Sequence, residues 1–241
     1  MAKIALVTGA NKGIGLETAR QLAKSGIHVI LAARDGAKGT AAAQKLKGEG
    51  LDVEAITLDV SNAESIAAAI KEVGAKHGRL DILINNAGIG IDDHSKKVSE
   101  QSMETWRKTF DTNVFGLIAV TKGFLPLLAK SDAGRIVNLT SILGSLTLHA
   151  DPKSPIYSYK VPAYNVSKTA VNAWTLQLAY ELRDSKIKVN AVHPGHVKTD
   201  MGGAAAPMEV VEGAKTGVAM ALIGPDGPNG TYTHLGRTLP W

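Results

Sequence analysis

A chain of 241 residues, 44% hydrophobic and 20% charged, is long enough to bury one core and has the composition of an ordinary folded domain. It contains no cysteine, which excludes disulfides, thiol nucleophiles and cysteine-bound zinc. The net charge of +5 comes from 27 basic residues dispersed among 22 acidic ones, which indicates a solvated surface and not a nucleic-acid site.

Short apolar runs alternate with helical segments along the chain, and this alternation predicts parallel strands buried between two layers of helices. The predicted strands are residues 3–8, 27–33, 53–58, 80–85, 134–140 and 187–193, with a weaker seventh near 230–233. The predicted helices are residues 13–25, 37–48, 62–76, 102–130, 163–184 and part of 207–222. We therefore expect one α/β domain over residues 1–241, a Rossmann-type doubly wound parallel sheet of about seven strands with helices on both faces.

Two further expectations follow from the same pass along the chain. The insertion segment, residues 146–162, carries three prolines between a predicted strand and a predicted helix, so we expect it to be ordered. No apolar stretch approaches the roughly 20 residues that a membrane helix needs, and the first residues pass straight into a strand. We expect a cytoplasmic protein without membrane contact.

The first predicted strand runs into a glycine-rich turn at residues 8–15, Thr-Gly-Ala-Asn-Lys-Gly-Ile-Gly, and a helix follows at once. Glycines there allow a tight turn and let the backbone approach a pyrophosphate at the helix N-terminus. The spacing differs from the commoner G-x-G-x-x-G, and a plain strand-to-helix turn would need the same glycines. On its own the motif is therefore weak support for a dinucleotide site.

The end of the second predicted strand bears on which dinucleotide would bind. An acidic residue at this place usually binds the ribose hydroxyls of NAD, whereas an arginine holds the extra phosphate of NADP. Here the strand ends at Ala33 and is followed by Arg34 and Asp35. Lys12 in the glycine turn adds a second cation. We expect NADP(H), although Asp35 leaves NAD open and both cations are also compatible with ordinary surface charges.

Tyr164 and Lys168 are four residues apart on a predicted helix and therefore share one face. A nearby ammonium group favours the phenolate, so we expect a lowered Tyr164 pKa and a role as general acid. Ser141 ends a predicted strand, at the sheet edge where ligands of such folds bind. It can donate a hydrogen bond to a substrate oxygen there, or serve only as a turn or cap residue.

Together these features resemble the short-chain dehydrogenase/reductase family over almost the whole chain. The matching pieces are the glycine turn, Leu58-Asp59-Val60, Asn85-Asn86-Ala87-Gly88, Asn113, Ser141, Tyr164 with Lys168, and Pro194-Gly195. Within that family, the sequences of the glycine turn, of residues 33–35 and of the closing Leu-Pro-Trp resemble the carbonyl-reductase branch, which is typically NADPH-dependent.

The resemblance implies specific roles for these residues. Asn113, Ser141, Tyr164 and Lys168 would be catalytic: Tyr164 would give the proton, Ser141 would hold the carbonyl oxygen, Lys168 would bind ribose and tune Tyr164, and Asn113 would hold a relay water. Asp59 and Val60 would border the adenine, Asn86 to Gly88 the adenosine ribose, and Val197 and Thr199 the nicotinamide amide. The implied cofactor-binding set is Gly9, Asn11, Lys12, Gly13, Ile14, Gly15, Arg34, Asp59, Val60, Asn86, Ala87, Gly88, Tyr164, Lys168, Pro194, Gly195, Val197 and Thr199.

We therefore expect NADPH-dependent reduction of a small ketone or aldehyde. The alternatives are an alcohol or hydroxysteroid dehydrogenase that works mainly in oxidation, an acyl-carrier reductase, and a catalytically silent dinucleotide-sensing protein. We expect no metal, because His193 and His196 flank a turn without a nearby carboxylate pattern. We also expect a monomer or homodimer, since the insertion segment would cover the surface where family members pair and would bring Tyr157 and Tyr159 to the substrate pocket.

Overall fold

The apolar runs of the sequence form the strands of one sheet. The computed structural model describes residues 2–241, and within them eight strands and eight α-helices follow one another in the chain. The strands are β1 (Ile4–Thr8), β2 (His28–Ala33), β3 (Val53–Thr57), β4 (Ile82–Asn85), β5 (Arg135–Leu139), β6 (Lys188–Val192), β7 (Tyr232–His234) and β8 (Arg237–Thr238). The helices are α1 (Gly13–Lys24), α2 (Gly36–Gly48), α3 (Ala63–His77), α4 (Met103–Phe110), α5 (Leu117–Leu128), α6 (Leu146–Ala150), α7 (Pro162–Glu181) and α8 (Val210–Ala221).

The strand order is β3-β2-β1-β4-β5-β6-β7-β8, and every neighbouring pair is parallel except β7 with β8. The chain therefore winds outward from β1 in one direction and then returns to add β4 on its other side. This reversal between β1 and β4 is the place where the sheet opens a crevice at the carboxyl ends of its strands. The predicted doubly wound parallel sheet is confirmed, with eight strands in place of about seven.

Side chains alternate along each strand, so the sheet has two apolar faces. Leu6 and Ile30 pack on one face against α3, α5 and α7, whereas Val7 and Leu31 pack on the other against α1, α2 and α8. Both faces are thus covered by helices, which agrees with the near-continuous apolar sequence of the strands. Among residues 2–241, no helix combines the length and the apolar character that crossing a membrane requires.

The predicted long helix at 102–130 differs from the observed one in its middle. Helical backbone runs from α4 into α5, but residues Asp111–Gly116 form a π-helical turn that carries Asn113. Ser102 caps α4 by accepting from the amide of Thr105 at 3.0 Å. Asn62 caps α3, while the hydroxyl of the preceding Ser61 is bonded to Asp59.

The insertion segment has its own local structure. It begins with the short helix α6 and continues through turns to the start of α7. The amide of Thr147 donates to the carbonyl of Trp241 at 2.9 Å, and the ring of His149 contacts the Leu143 carbonyl at 3.0 Å. Ile156 and Val161 are buried. These contacts fix the segment against both the C-terminal residues and the turn after β5.

Candidate active site

The carboxyl ends of β1 to β4 border a cleft of about 600 Å³, which we call the first cleft. It collects most of the predicted cofactor residues, because each of them follows directly on a strand whose end reaches this edge of the sheet. Those that line it are Gly9, Asn11, Lys12, Gly13, Ile14, Gly15, Arg34, Asp59, Val60, Asn86, Ala87, Gly88 and Thr199. The sequence did not single out Lys38, Lys198, Asp200 and Met201, which also line it.

The glycine turn forms the floor of the first cleft. Gly9 and Gly13 have φ values of 63° and 56°, a backbone conformation that favours glycine. A Cβ on Gly15 would lie 2.5 Å from Nδ2 of Asn86, so that position also has no room for a side chain. Helix α1 starts here with no side-chain cap and no acidic residue in its first turn. Its N-terminal amides and partial positive charge therefore suit an anionic group such as a pyrophosphate.

Positive charge gathers at the β2 end of the first cleft. Arg34 is exposed and makes no ion pair with any residue that the structure describes. Asp35, by contrast, caps α2 by accepting from the Lys38 amide at 3.1 Å, and this bond lowers the pKa of its carboxyl. The Lys12 ammonium forms an ion pair with Asp200 across the cleft. Arg34 is thus available to a ligand, while the acidic group beside it is already used by the protein.

A second cleft of about 360 Å³ adjoins the first, since Thr199 and Met201 line both. It contains the predicted residues Ser141, Tyr164, Pro194 and Gly195. Apolar side chains make up much of its wall: Ile142, Leu143, Pro155, Ile156, Val161 and Met201. Within residues 2–241 neither lysine nor arginine lines it. The second cleft therefore suits a neutral, largely apolar molecule.

The insertion segment contributes one of its two tyrosines to the second cleft. Tyr159 lines the cleft next to Ile156. Tyr157 does not, contrary to the sequence-based expectation; its ring lies 5.0 Å from the Lys160 ammonium on the surface. The two positions are separated by a turn in which the Tyr159 amide bonds back to the Ile156 carbonyl, and this turn directs them to different surroundings.

Tyr164 and Lys168 lie on the same face of α7, with the Lys168 ammonium 5.5 Å from the centre of the tyrosine ring. The expectation of a lowered Tyr164 pKa is wrong for this structure, because desolvation by burial raises it to about 12, against a smaller opposing effect from the Ser141 hydroxyl. Burial also lowers the pKa of Lys168 to about 8, and its Nζ donates to the Leu139 carbonyl at 3.0 Å. Tyr164 is therefore a protonated phenol at neutral pH.

Asn113 lies beneath both clefts and is 1% exposed. Its Oδ1 accepts from the amide of Ile89 at 2.8 Å, and its Nδ2 donates to the Ile89 carbonyl and to Oγ of Ser167. Both Nδ2 hydrogens and one lone pair of Oδ1 are thus used by protein partners. The main-chain carbonyl of Asn113 lies in the π-helical turn, which departs from the regular helical hydrogen-bond pattern.

Asp92 is a functional candidate that the sequence did not point to. It is buried, lines the second cleft, and accepts from the amides of Ala163 and Tyr164 at 2.7 and 3.0 Å. Helix α7 begins at Pro162 without a cap from its own chain neighbours, so Asp92 supplies the cap from a distant loop. It thereby fixes the turn that carries Tyr164. No local pattern identifies it, because its partners lie about 70 residues away.

Three predicted residues lie outside both clefts: Asn113, Lys168 and Val197. A Cβ on Gly88 would lie 3.5 Å from Nζ of Lys168, so the missing side chain of Gly88 lets the lysine reach the first cleft from below. Val197 is 3% exposed and bridges to Met208. It is a packing residue in this structure.

His193 follows β6 and lines the second cleft. Its Nδ1 accepts from the Ile142 amide at 3.2 Å, and its ring packs 4.8 Å from that of His234. Burial, with a smaller contribution from the other histidines, lowers the pKa of His193 to about 3. The imidazole is therefore neutral at physiological pH and adds no charge to the cleft.

Comparison with known proteins agrees with this geometry. Residues 3–210 match the family model described as short chain dehydrogenase. The chain is 35% identical to mouse (Mus musculus) Carbonyl reductase [NADPH] 1, covering 99% of this chain and 98% of the relative. It is 39% identical to Short-chain dehydrogenase anuI of Penicillium roqueforti, covering 92% of this chain and 89% of that one.

Solved structures give the same result for the fold. An NADPH-bound carbonyl reductase from chicken fatty liver superposes with a TM-score of 0.87 at 27% identity, covering 100% of this chain and 99% of that one. A superposition of this coverage includes the sheet and the helices on both of its faces.

Proposed function

This chain belongs to the short-chain dehydrogenase family, and we propose that it reduces a ketone or aldehyde to an alcohol with NADPH. The observation that carries the proposal is the meeting of two clefts at Thr199 and Met201. One cleft is built for a dinucleotide phosphate, and the other holds a protonated Tyr164 among apolar side chains. A nicotinamide at the junction would face a carbonyl carbon in the second cleft.

The first cleft fits a dinucleotide on three grounds. The glycine turn can pack closely against the loop after β4 because a Cβ on Gly9 or Gly15 would crowd residues 86–87, and the uncapped N-terminus of α1 offers amides to a pyrophosphate. Asp59, Val60 and residues 86–88 border the part of the cleft where the adenosine would lie. The Lys168 ammonium lies close to Gly88 at the edge of the first cleft, and its proposed role is to bond to a ribose hydroxyl of the cofactor. These residues would hold the cofactor.

We assign the extra phosphate of NADPH to Arg34. Its guanidinium is exposed at the rim, and a paired hydrogen bond to a phosphate is the interaction that arginine forms best. Asp35 is engaged in capping α2 and so is a poor ligand for the ribose hydroxyls of NADH. Lys12 and Lys38 add positive charge nearby. Lys12 would give up its ion pair with Asp200 in order to bind the phosphate.

When bound, NADPH supplies the hydride that adds to the carbonyl carbon. Ser141 donates a hydrogen bond to the carbonyl oxygen, and Tyr164 transfers its phenolic proton to that oxygen as negative charge develops there. The products are the alcohol, the oxidised cofactor and a tyrosinate. Tyr164 is protonated at neutral pH and is therefore able to donate the proton that reduction of a carbonyl needs.

Lys168 and Asn113 serve this proton transfer without contacting the carbonyl. The Lys168 ammonium lies close enough to stabilise the tyrosinate that remains after the proton has left. Asn113 holds the loop after β4 through its two bonds to Ile89, and in the proposed mechanism this residue binds a water that returns a proton from solvent.

The wall of the second cleft favours neutral substrates. Among the described residues it offers no cation for a carboxylate or phosphate, and His193 is neutral. The same absence gives an acyl-carrier protein no basic docking residue at this mouth. We therefore propose aryl or alkyl ketones, aldehydes and uncharged diketones or ketoesters as the substrate class.

A substrate panel tests the proposal. Purified protein is incubated with NADPH or NADH and with aldehydes, aryl ketones, ketoesters, diketones and, as charged controls, the matching keto acids, and the absorbance of the reduced nicotinamide is followed. We expect NADPH consumption with neutral carbonyls, slower consumption with NADH and little with keto acids. Cofactor binding without turnover on any carbonyl would contradict the proposal and support a dinucleotide-sensing protein.

A further inference from the structure

His28, Glu54 and His77 form a cluster at the edge of the sheet opposite to the two clefts. His28 is the first residue of β2, Glu54 lies near the start of the adjacent parallel strand β3, and His77 ends α3. One potential metal-ligand atom from each residue lies within 4.8 Å of the others. Oε1 of Glu54 is 3.4 Å from Nε2 of His28 and 2.6 Å from Nε2 of His77.

Asp52 determines which nitrogen of His28 is free. Its Oδ1 lies 2.9 Å from Nδ1 of His28, and since a carboxylate only accepts, Nδ1 carries the proton. In the neutral ring this leaves the lone pair on Nε2, the atom that faces Glu54. That atom is buried and makes no hydrogen bond. A carboxylate on one ring nitrogen and an unsatisfied lone pair on the other is the arrangement that supports histidine as a metal ligand.

We propose that His28, Glu54 and His77 bind one zinc ion, with Asp52 as the residue that positions His28. Two imidazoles and a carboxylate are a ligand set that zinc prefers, and the chain offers it no thiolate elsewhere. Bonds of about 2.0–2.1 Å in a tetrahedron separate ligand atoms by about 3.3 Å, close to the observed His28–Glu54 spacing. Binding requires that His77 give up its contact with Glu54 and move slightly away, and that the hydrogen on its Nε2 leave or move to Nδ1.

The surroundings leave room for the ion and its fourth ligand. The three side chains are 13–19% exposed, so a water molecule can complete the tetrahedron from the solvent side. The Lys76 ammonium is paired with the other oxygen of Glu54 and competes with a cation for it. Because 58% of the Lys76 side chain is exposed, it can turn into solvent when zinc binds.

The position of the cluster indicates a structural ion. Zinc here would tie the starts of β2 and β3 to the end of α3, and the cluster shares no residue with either cleft. We therefore expect zinc to raise the thermal stability of the chain by binding the folded state, and to leave kcat and KM unchanged.

The test uses full-length protein freed of metal with a chelator and titrated with zinc chloride by calorimetry, together with thermal melts with and without zinc. We expect one zinc per chain and a higher Tm with zinc. His77→Ala and Glu54→Gln should abolish both effects, and Asp52→Asn should weaken binding about 10–100-fold, as expected for a residue that orients a ligand. His94→Ala, which removes a histidine outside the cluster, should bind zinc as the parent does.

Lys76→Gln separates a zinc site from a plain ion-pair cluster and leaves every proposed ligand in place. If the cluster binds zinc, this variant should bind it several-fold more tightly, because it loses a competing cation. If the cluster is only an ion-pair network, the variant should lose stability and gain no response to zinc. Absence of a one-to-one zinc isotherm in the parent, or binding that persists in His77→Ala and Glu54→Gln, would overturn the proposal.

Discussion

The ammonium of Lys168 lies 5.5 Å from the centre of the Tyr164 ring, and both groups are held by α7 one helical turn apart. Burial moves their pKa values apart, the tyrosine up to about 12 and the lysine down to about 8. Sequence spacing correctly placed the two side chains together. It gave the wrong direction for the shift in the tyrosine pKa, because desolvation is set by the surrounding fold and outweighs the opposing effect of the Ser141 hydroxyl.

The pH dependence of ketone reduction should follow the loss of the positive charge on Lys168. Tyr164 keeps its proton throughout the neutral range, whereas the lysine loses its charge as the pH rises through about 8. We expect kcat/KM for ketone reduction to be level below that pH and to fall above it. Lys168→Arg, whose guanidinium stays charged, should have lower activity without the fall. A parent profile that stays flat well above pH 8 would contradict the role given to Lys168.

The Arg34→Asp substitution should weaken the binding of NADPH far more than the binding of NADH. The change replaces a phosphate-binding guanidinium by a carboxylate that repels the same phosphate. We expect the ratio of kcat/KM values for NADPH and NADH to fall by at least about 100-fold, the equivalent of roughly 3 kcal/mol. Lys45→Asp makes the same charge change on α2 away from the first cleft and should leave the ratio unaltered. Equal losses with both cofactors in the Arg34 variant would refute the assignment.

The two tyrosines of the insertion segment offer a matched pair of variants. Tyr159 lines the second cleft, so Tyr159→Ala should change the relative kcat/KM values for aryl and alkyl ketones while the affinity for NADPH stays constant. Tyr157→Ala removes an equal volume outside the cleft and should leave the substrate profile as it is. Identical profiles for the parent and both variants would exclude the segment from substrate selection.

Asp92 should influence catalysis by positioning Tyr164. Asp92→Ala removes the acceptor for two amides at the start of α7, and we expect a loss of about 1–2 kcal/mol in the free energy of unfolding, measured by urea denaturation. We also expect kcat to fall with little change in NADPH affinity, and Asp92→Asn to recover part of it. If kcat at saturating substrate matched the parent while stability fell, Asp92 would be a helix cap only.

The sequence was sufficient for the sheet and for the cofactor end of the site. Strand ends, glycines and Arg34 are local features, and a parallel sheet necessarily brings its carboxyl ends to one edge. Contacts between distant segments were not predictable: Asp92 with the start of α7, or Asp52 with His28. Nor does sequence periodicity predict that the backbone between Tyr157 and Tyr159 directs only Tyr159 toward the second cleft. The number of subunits stays a prediction.

Transfer of deuterium from NADPH that carries deuterium in both positions at C4 tests the central claim most directly. With a neutral ketone from the panel, mass spectrometry of the alcohol should find one deuterium on the carbinol carbon, which identifies hydride transfer to a carbonyl. Tyr164→Phe should bind NADPH as the parent does and form this product at least about 100-fold more slowly, since only the proton donor is missing. An unlabelled alcohol, or labelled product formed at the parent rate by Tyr164→Phe, would contradict the account.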